Sequence, residues 1–89
     1  MTVHFDDVWS RIESHAGEAF RQKRGGLFHY SVNGATLRPD RTNRGLSREQ
    51  FRLAYALVPL ANTAAVHHLQ GPSYIYAILM DERIRRSDW

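Results

Sequence analysis

The chain has 89 residues, 43% hydrophobic and 24% charged, a balance typical of one small globular domain rather than of a disordered segment. The absence of cysteine excludes disulfides, thiolate zinc sites and cysteine nucleophiles, and no apolar run reaches the ~18 residues of a membrane span. The N-terminal segment lacks the basic and apolar regions of a signal peptide, so the sequence predicts a cytoplasmic single domain, residues 1–89, with no membrane partner.

The net charge of +3 is unevenly distributed along the chain. Residues 1–20 sum to −3 and residues 53–89 to zero, whereas residues 21–52 hold eight basic residues against two acidic ones. Such a concentration of positive charge creates a field that attracts nucleic acid or an acidic protein. Solvated surface without a ligand is the alternative, because an arginine bias also follows from a GC-rich genome.

The first predicted element is a helix from Phe5 to Gln22. Apolar residues recur there at the i, i+3, i+4 and i+7 spacings of an amphipathic helix. Asp6 and Asp7 lie in the first turn, as the helix dipole favours. Gly25-Gly26 is expected to end the helix in a left-handed cap.

A β-hairpin is predicted next, because Asn33-Gly34 separates two alternating runs. A type I′ turn there requires positive φ at both residues and places Tyr30 opposite Leu37. The register gives one apolar face, formed by Phe28, Tyr30, Val32, Ala35 and Leu37, and one wet face, formed by His29, Ser31, Thr36 and Arg38. Because an isolated hairpin is marginally stable, it must pack on a helix or gain a strand, and its edges offer a route to a homodimer.

The stretch "LSREQF" is typical of a helix start. Ser47 is the predicted N-cap, Gln50 completes a capping box, and Leu46 with Phe51 forms a hydrophobic staple. We expect this helix to run to about Val58, before the next proline.

The C-terminal third is predicted to contain a short helix, capped by Asn62 or Thr63, and a longer one. Gly71-Pro72 suits the start of the longer helix, which is expected to extend to Arg86. A strand is the rival interpretation, because "SYIYAIL" is rich in β-formers. The predicted fold is α+β, a small single domain with an N-terminal helix, a β-hairpin and then two or three helices.

The candidate site is an arginine-rich surface. Two arginines lie in the loop before Ser47, and two more lie four residues apart on the exposed face of the helix that follows. Together they predict a basic ridge at a helix N-terminus, where anions are favoured. The predicted nucleic-acid-binding residues are Arg38, Arg41, Arg44, Arg48, Arg52, Ser73, Tyr74 and Tyr76. Partial burial in the core is the alternative role of the two tyrosines.

Three functional hypotheses follow. The first is a nucleic-acid-binding module, DNA-binding or regulatory, and the second is a protein-interaction or homodimerising regulatory subunit. The third is a small metal-independent nuclease in which His29 beside Arg38 supplies a base and an oxyanion contact. The histidines lack metal-ligand spacing, and no phosphate-binding loop or G-x-S-x-G elbow occurs. The sequence therefore predicts no metal, cofactor or assigned catalytic residue, and favours binding over catalysis.

Overall fold

The computed structural model describes residues 3–89 as an α+β domain. In chain order it contains helix α1 (Phe5–Ser14), strands β1 (Phe20–Arg21), β2 (Leu27–Phe28), β3 (Tyr30–Asn33), β4 (Thr36–Pro39) and β5 (Leu46–Ser47), helix α2 (Arg48–Tyr55), a 3-10 helix (Thr63–Val66), and helices α3 (Pro72–Leu79) and α4 (Glu82–Arg85). The strands form a β1–β2 hairpin and a β3–β4–β5 antiparallel sheet. The predicted fold class is confirmed.

Helix α3 is the central element of the core. It packs against α2, α4, β1 and the 3-10 helix. Its apolar residues meet the buried aromatic and aliphatic side chains of the other elements. The largest fully buried side chains are Ile12, Phe20, Phe28, Leu37, Leu46, Phe51, Ile75, Ile78, Leu79 and Ile84. Within residues 3–89 no helix is long and apolar enough to cross a membrane, and the longest, α1, has 10 residues.

The N-terminal helix is shorter than its apolar periodicity predicts. It ends at Ser14, and Gly17 follows with a φ of 88° and donates its amide to the Tyr30 carbonyl at 2.8 Å. The chain then turns, and Phe20 reaches the core from β1, opposite Phe28. The prediction to Gln22 was wrong because Phe20 fits both the helical spacing and a two-residue strand.

The hairpin between β3 and β4 exists, but its register differs from the predicted one. Its two-residue loop is Gly34-Ala35, and Tyr30 pairs with Pro39 rather than with Leu37. Gly34 has a φ of 62°, whereas Asn33 has a negative φ, as expected when the glycine occupies the first loop position of a type II′ turn. Each partner shifts by two residues, so every side chain keeps its predicted face. Ala35 is nevertheless exposed, because it lies in the loop.

Helix α2 begins where its cap predicts and ends earlier. The Ser47 hydroxyl accepts the Gln50 amide at 3.3 Å, which confirms the N-cap. The reciprocal half of the capping box is not formed, because the Gln50 side chain accepts the Gln70 amide at 2.9 Å. Residues 46–47 also pair with β4 as a third strand that was not predicted. The helix ends at Tyr55 rather than near Val58.

The C-terminal segment is helical, as favoured over a strand. Helix α3 starts at Pro72, with Gly71 at the N-cap position, and residues 63–66 form the predicted short helix in 3-10 geometry. The predicted continuation to Arg86 is broken after Leu79. Asp81 caps a separate α4 by accepting the Arg83 amide at 2.9 Å. An aspartate that bonds its own downstream amides favours a cap over a helix interior.

Candidate functional site

Arg48 and Arg52, predicted to form the helical half of a basic ridge, are each held by a carboxylate. Arg48 forms an ion pair with Asp6 of α1, and its guanidinium lies 5.0 Å from the centre of the Phe5 ring. Arg52 pairs with Glu49 through two hydrogen bonds, of which the Nε–Oε1 bond is 2.8 Å long. These hydrogen bonds lower the pKa of Glu49. Much of the charge of both arginines is therefore balanced within the domain.

The three arginines that precede α2 contact backbone or solvent instead. Arg38 donates to the Asn43 carbonyl at 3.1 Å, and Arg41 donates to the Leu27 carbonyl at 3.3 Å. Arg44 is exposed in the loop between β4 and β5. Within residues 3–89, no carboxylate lies within 4.0 Å of these three guanidinium groups.

A second group of basic residues surrounds the turn between β1 and β2. Arg21 donates to the Gly25 carbonyl at 3.0 Å, and the exposed Lys23 and Arg24 lie within the turn itself. Arg41 reaches the same turn from the other hairpin: a Cβ atom at Gly26 would lie 2.7 Å from its Nη1 atom. We name this group, Arg21, Lys23, Arg24 and Arg41, the hairpin cluster.

The hairpin cluster has no acidic partner in the part of the chain that the structure describes. Only Arg41 belongs to the predicted site. The other three were assigned to the end of an N-terminal helix, where the dipole would explain them. The signal that could have found them is the net charge of +6 over residues 21–52, to which they contribute half.

A cleft of about 550 Å³ separates the β1–β2 turn from α3 and the 3-10 helix. Its lining consists of polar and cationic side chains, namely Gln22, Lys23, Arg24, Thr63 and Ser73. The Gln22 amide donates to the Ser73 hydroxyl at 3.2 Å. The structure thus brings one predicted residue of α3, Ser73, beside two members of the hairpin cluster.

The two predicted tyrosines of α3 have different environments. Tyr76 is partly exposed, and the Lys23 ammonium lies 5.6 Å from the centre of its ring. Tyr74 packs edge-on against the buried Phe28, with ring centres 4.9 Å apart and planes at 84°. Tyr76 therefore borders the cleft through Lys23, whereas Tyr74 anchors α3 to the β1–β2 hairpin.

His29 does not pair with Arg38 as the predicted register required. Its partner is Asp40, which accepts the His29 amide at 3.0 Å and lies 3.2 Å from the imidazole Nδ1 atom. The backbone hydrogen bond from His29, followed by the side-chain one, lowers the pKa of Asp40. Arg38 lies opposite Ser31 on the same wet face. No group of three or more potential metal ligands occurs within residues 3–89.

The chain matches no protein-family model, no curated protein and no solved structure. The chemistry of the site is therefore argued from its own residues. Cationic side chains and hydroxyl donors converge on one concave surface, and none of the residues lining the cleft is acidic. Such a surface is complementary to an anion with several acceptor oxygens.

Proposed function

We propose that this domain binds nucleic acid through the hairpin cluster and the neighbouring Arg38 and Arg44. One observation carries the proposal: these six basic residues, all between positions 21 and 44, have no carboxylate partner among the described residues. The remaining ion pairs balance basic residues elsewhere. The uncompensated positive charge therefore concentrates on the two hairpins.

The hydrogen bonds of these arginines support phosphate binding. Arg21, Arg38 and Arg41 each donate one Nη1 atom to a backbone carbonyl. Such a bond orients the guanidinium without neutralising its charge, and it leaves further N–H donors for a planar, two-point contact with phosphate. Because the side chains are already ordered, less conformational entropy is lost when they bind.

The proposal is tested by comparing two charge changes. Lys23→Ala/Arg24→Ala removes two charges that have no acidic partner, whereas Arg52→Ala removes one that is paired with Glu49. In a mobility-shift assay at ~50 mM salt, the double variant should lose affinity for every probe, because phosphate contacts carry no base preference. Arg52→Ala should bind within about twofold of the wild type.

Equal losses in both variants would contradict the assignment of the surface. Folding must be verified in parallel, and a change below about 0.5 kcal/mol is expected because Lys23 and Arg24 are exposed. The sequence-based choice of Arg44 with Arg48 is a poorer test. Arg48 pairs with Asp6 across two helices, so its removal also perturbs the fold.

Homodimerisation is the second candidate function, favoured by two exposed leucines. Leu53 in α2 and Leu57 just beyond it lie four residues apart and are 39% and 47% exposed. An apolar pair on one side of a helix suits a matching pair on a second copy of the chain. Sedimentation over a concentration series should show a dimer that Leu53→Gln/Leu57→Gln abolishes. A wild type that stays monomeric at high concentration contradicts this candidate.

A further inference from the structure

We infer that the cleft between the β1–β2 turn and α3 holds one nucleotide of a single-stranded nucleic acid, with its phosphate on Lys23, Arg24 and Ser73 and its base against Tyr76. This inference rests on the proposed function and narrows it to one substrate class and one site. The predicted consequence is a preference for single strands over duplexes.

The lining of the cleft selects an anion. It offers an ammonium, a guanidinium, two hydroxyls and one amide. Phosphate oxygens accept hydrogen bonds and carry negative charge, so they match both properties of this lining. A volume of about 550 Å³ lies within the range of about 300–1,000 Å³ that is usual for small-ligand sites.

The Gln22–Ser73 hydrogen bond sets the direction in which Ser73 can donate. Gln22 Nε2 donates to the Ser73 oxygen at 3.2 Å, so the hydroxyl is an acceptor in this contact. Its own hydrogen must therefore point toward a different acceptor. A phosphate oxygen between Ser73 and the two cationic side chains would be such an acceptor.

The aromatic neighbour of the cleft favours an unstacked base. Tyr76 is partly exposed, and Lys23, which lines the cleft, lies over its ring at 5.6 Å. A cationic groove bordered by an aromatic ring is the usual arrangement for binding single strands, because every base has a face that can stack. In a duplex both faces of a base are already covered.

The described helices lack the means to read a duplex groove. An α-helix enters the major groove with basic and polar side chains on its exposed face. Here α3 carries no basic residue, and the two arginines of α2 are held by Asp6 and Glu49. The available positive charge lies on turns around a concave cleft, which a flexible strand can follow.

The test is a fluorescence-anisotropy titration with labelled DNA and RNA strands of about 16 nucleotides, each measured alone and annealed to its complement. The wild type should bind the single strands more tightly than either duplex. Tyr76→Leu keeps apolar volume but removes the ring, and it should weaken single-strand binding by about 5- to 150-fold. Tyr76→Phe keeps the ring and should bind like the wild type.

Two further variants keep the test decisive if Tyr76→Leu does not fold. Ser73→Ala should reduce single-strand affinity more than duplex affinity, whereas Arg44→Ala, outside the cleft, should weaken both by the same factor. Duplex binding as tight as single-strand binding, or equal losses on both probes in the Ser73 and Tyr76 variants, would overturn the inference while the proposed function stands. Failure of every probe to bind would instead remove the proposed function itself.

Discussion

Replacing Gly71 by alanine should destabilise the domain through two separable effects. Gly71 precedes α3 with a φ of 60°, in the left-handed region that an L side chain adopts only at a cost. A Cβ atom there would also lie 2.8 Å from Cδ2 and 3.0 Å from Cδ1 of Leu46. Leu46 is buried, so its side chain has little free space into which it could move. The same turn leads into Ser73, which lines the cleft.

The magnitude follows from these two effects. The left-handed backbone costs an alanine about 1–2 kcal/mol, and overpacking a filled core costs about 1–3 kcal/mol more. The lower conformational entropy of the unfolded alanine chain offsets about 0.4–1 kcal/mol of this. The net loss should be about 2–4 kcal/mol, a large share of the ~4–13 kcal/mol expected for a domain of this length.

Gly34→Ala is the matched control, because Gly34 has a φ of 62° but no atom within 4 Å of its Cβ position. It should lose only about 1 kcal/mol, so the difference between the two variants isolates the clash with Leu46. Urea unfolding followed by the fluorescence of Trp9 and Trp89 measures both free energies of unfolding. Equal losses in the two variants would refute the close packing of Gly71 on Leu46.

Three further stability changes test individual hydrogen bonds. Ser47→Ala should cost about 1 kcal/mol as the cap of α2 is lost, and an unchanged denaturation midpoint would mean that the helix begins elsewhere. Tyr30→Phe should cost about 1–3 kcal/mol in urea unfolding, because it leaves the buried Ile12 carbonyl without the hydroxyl that donates to it at 2.5 Å; a loss near zero contradicts that bond. Burial opposes ionisation of Asp81, but hydrogen bonds from Arg83 lower its pKa below the ordinary 3.8. The stability it contributes is present above pH 3.8 and is lost as the pH falls through the lowered pKa, so Asp81→Asn should flatten the stability profile between about pH 5 and pH 2, whereas parallel profiles would contradict the pairing.

The features that could be predicted from the sequence have local causes. Ser47 caps α2 through an amide three residues away, and Pro72 begins α3 because its fixed φ suits a first turn. The alternation across the β3–β4 hairpin likewise placed each strand side chain on its observed face. These signals depend on a few neighbouring residues, so they survive without knowledge of the tertiary fold.

The wrong predictions involve competition between local signals and tertiary contacts. Strands β1 and β2 have two residues each, too short for an alternating pattern to be visible, so Phe20 was assigned to a helix. The hairpin register depends on contacts outside the turn, including the Arg48 amide bonded to the Ala35 carbonyl at 2.8 Å. The sequence favoured Asn33-Gly34 because the turn was judged in isolation.

The candidate site could be predicted in part. Charge counting located the basic segment, and the start of α3 identified Ser73 beside the cleft. The pairing of Arg48 with Asp6 joins residues 42 positions apart, and no local pattern predicts it. For the same reason the convergence of Arg41 on the β1–β2 turn, 14 residues away from its Leu27 partner, required the fold.

The salt dependence of nucleic-acid binding tests the central claim most directly. If the hairpin cluster contacts phosphates, the logarithm of the binding constant should fall linearly with the logarithm of salt concentration, with a slope of about −0.7 per contacted phosphate on single strands. Lys23→Ala/Arg24→Ala should then reduce the slope by about one contact for each charge removed. A wild-type protein that binds no strand at ~50 mM salt, or that binds with no salt dependence, would contradict the account.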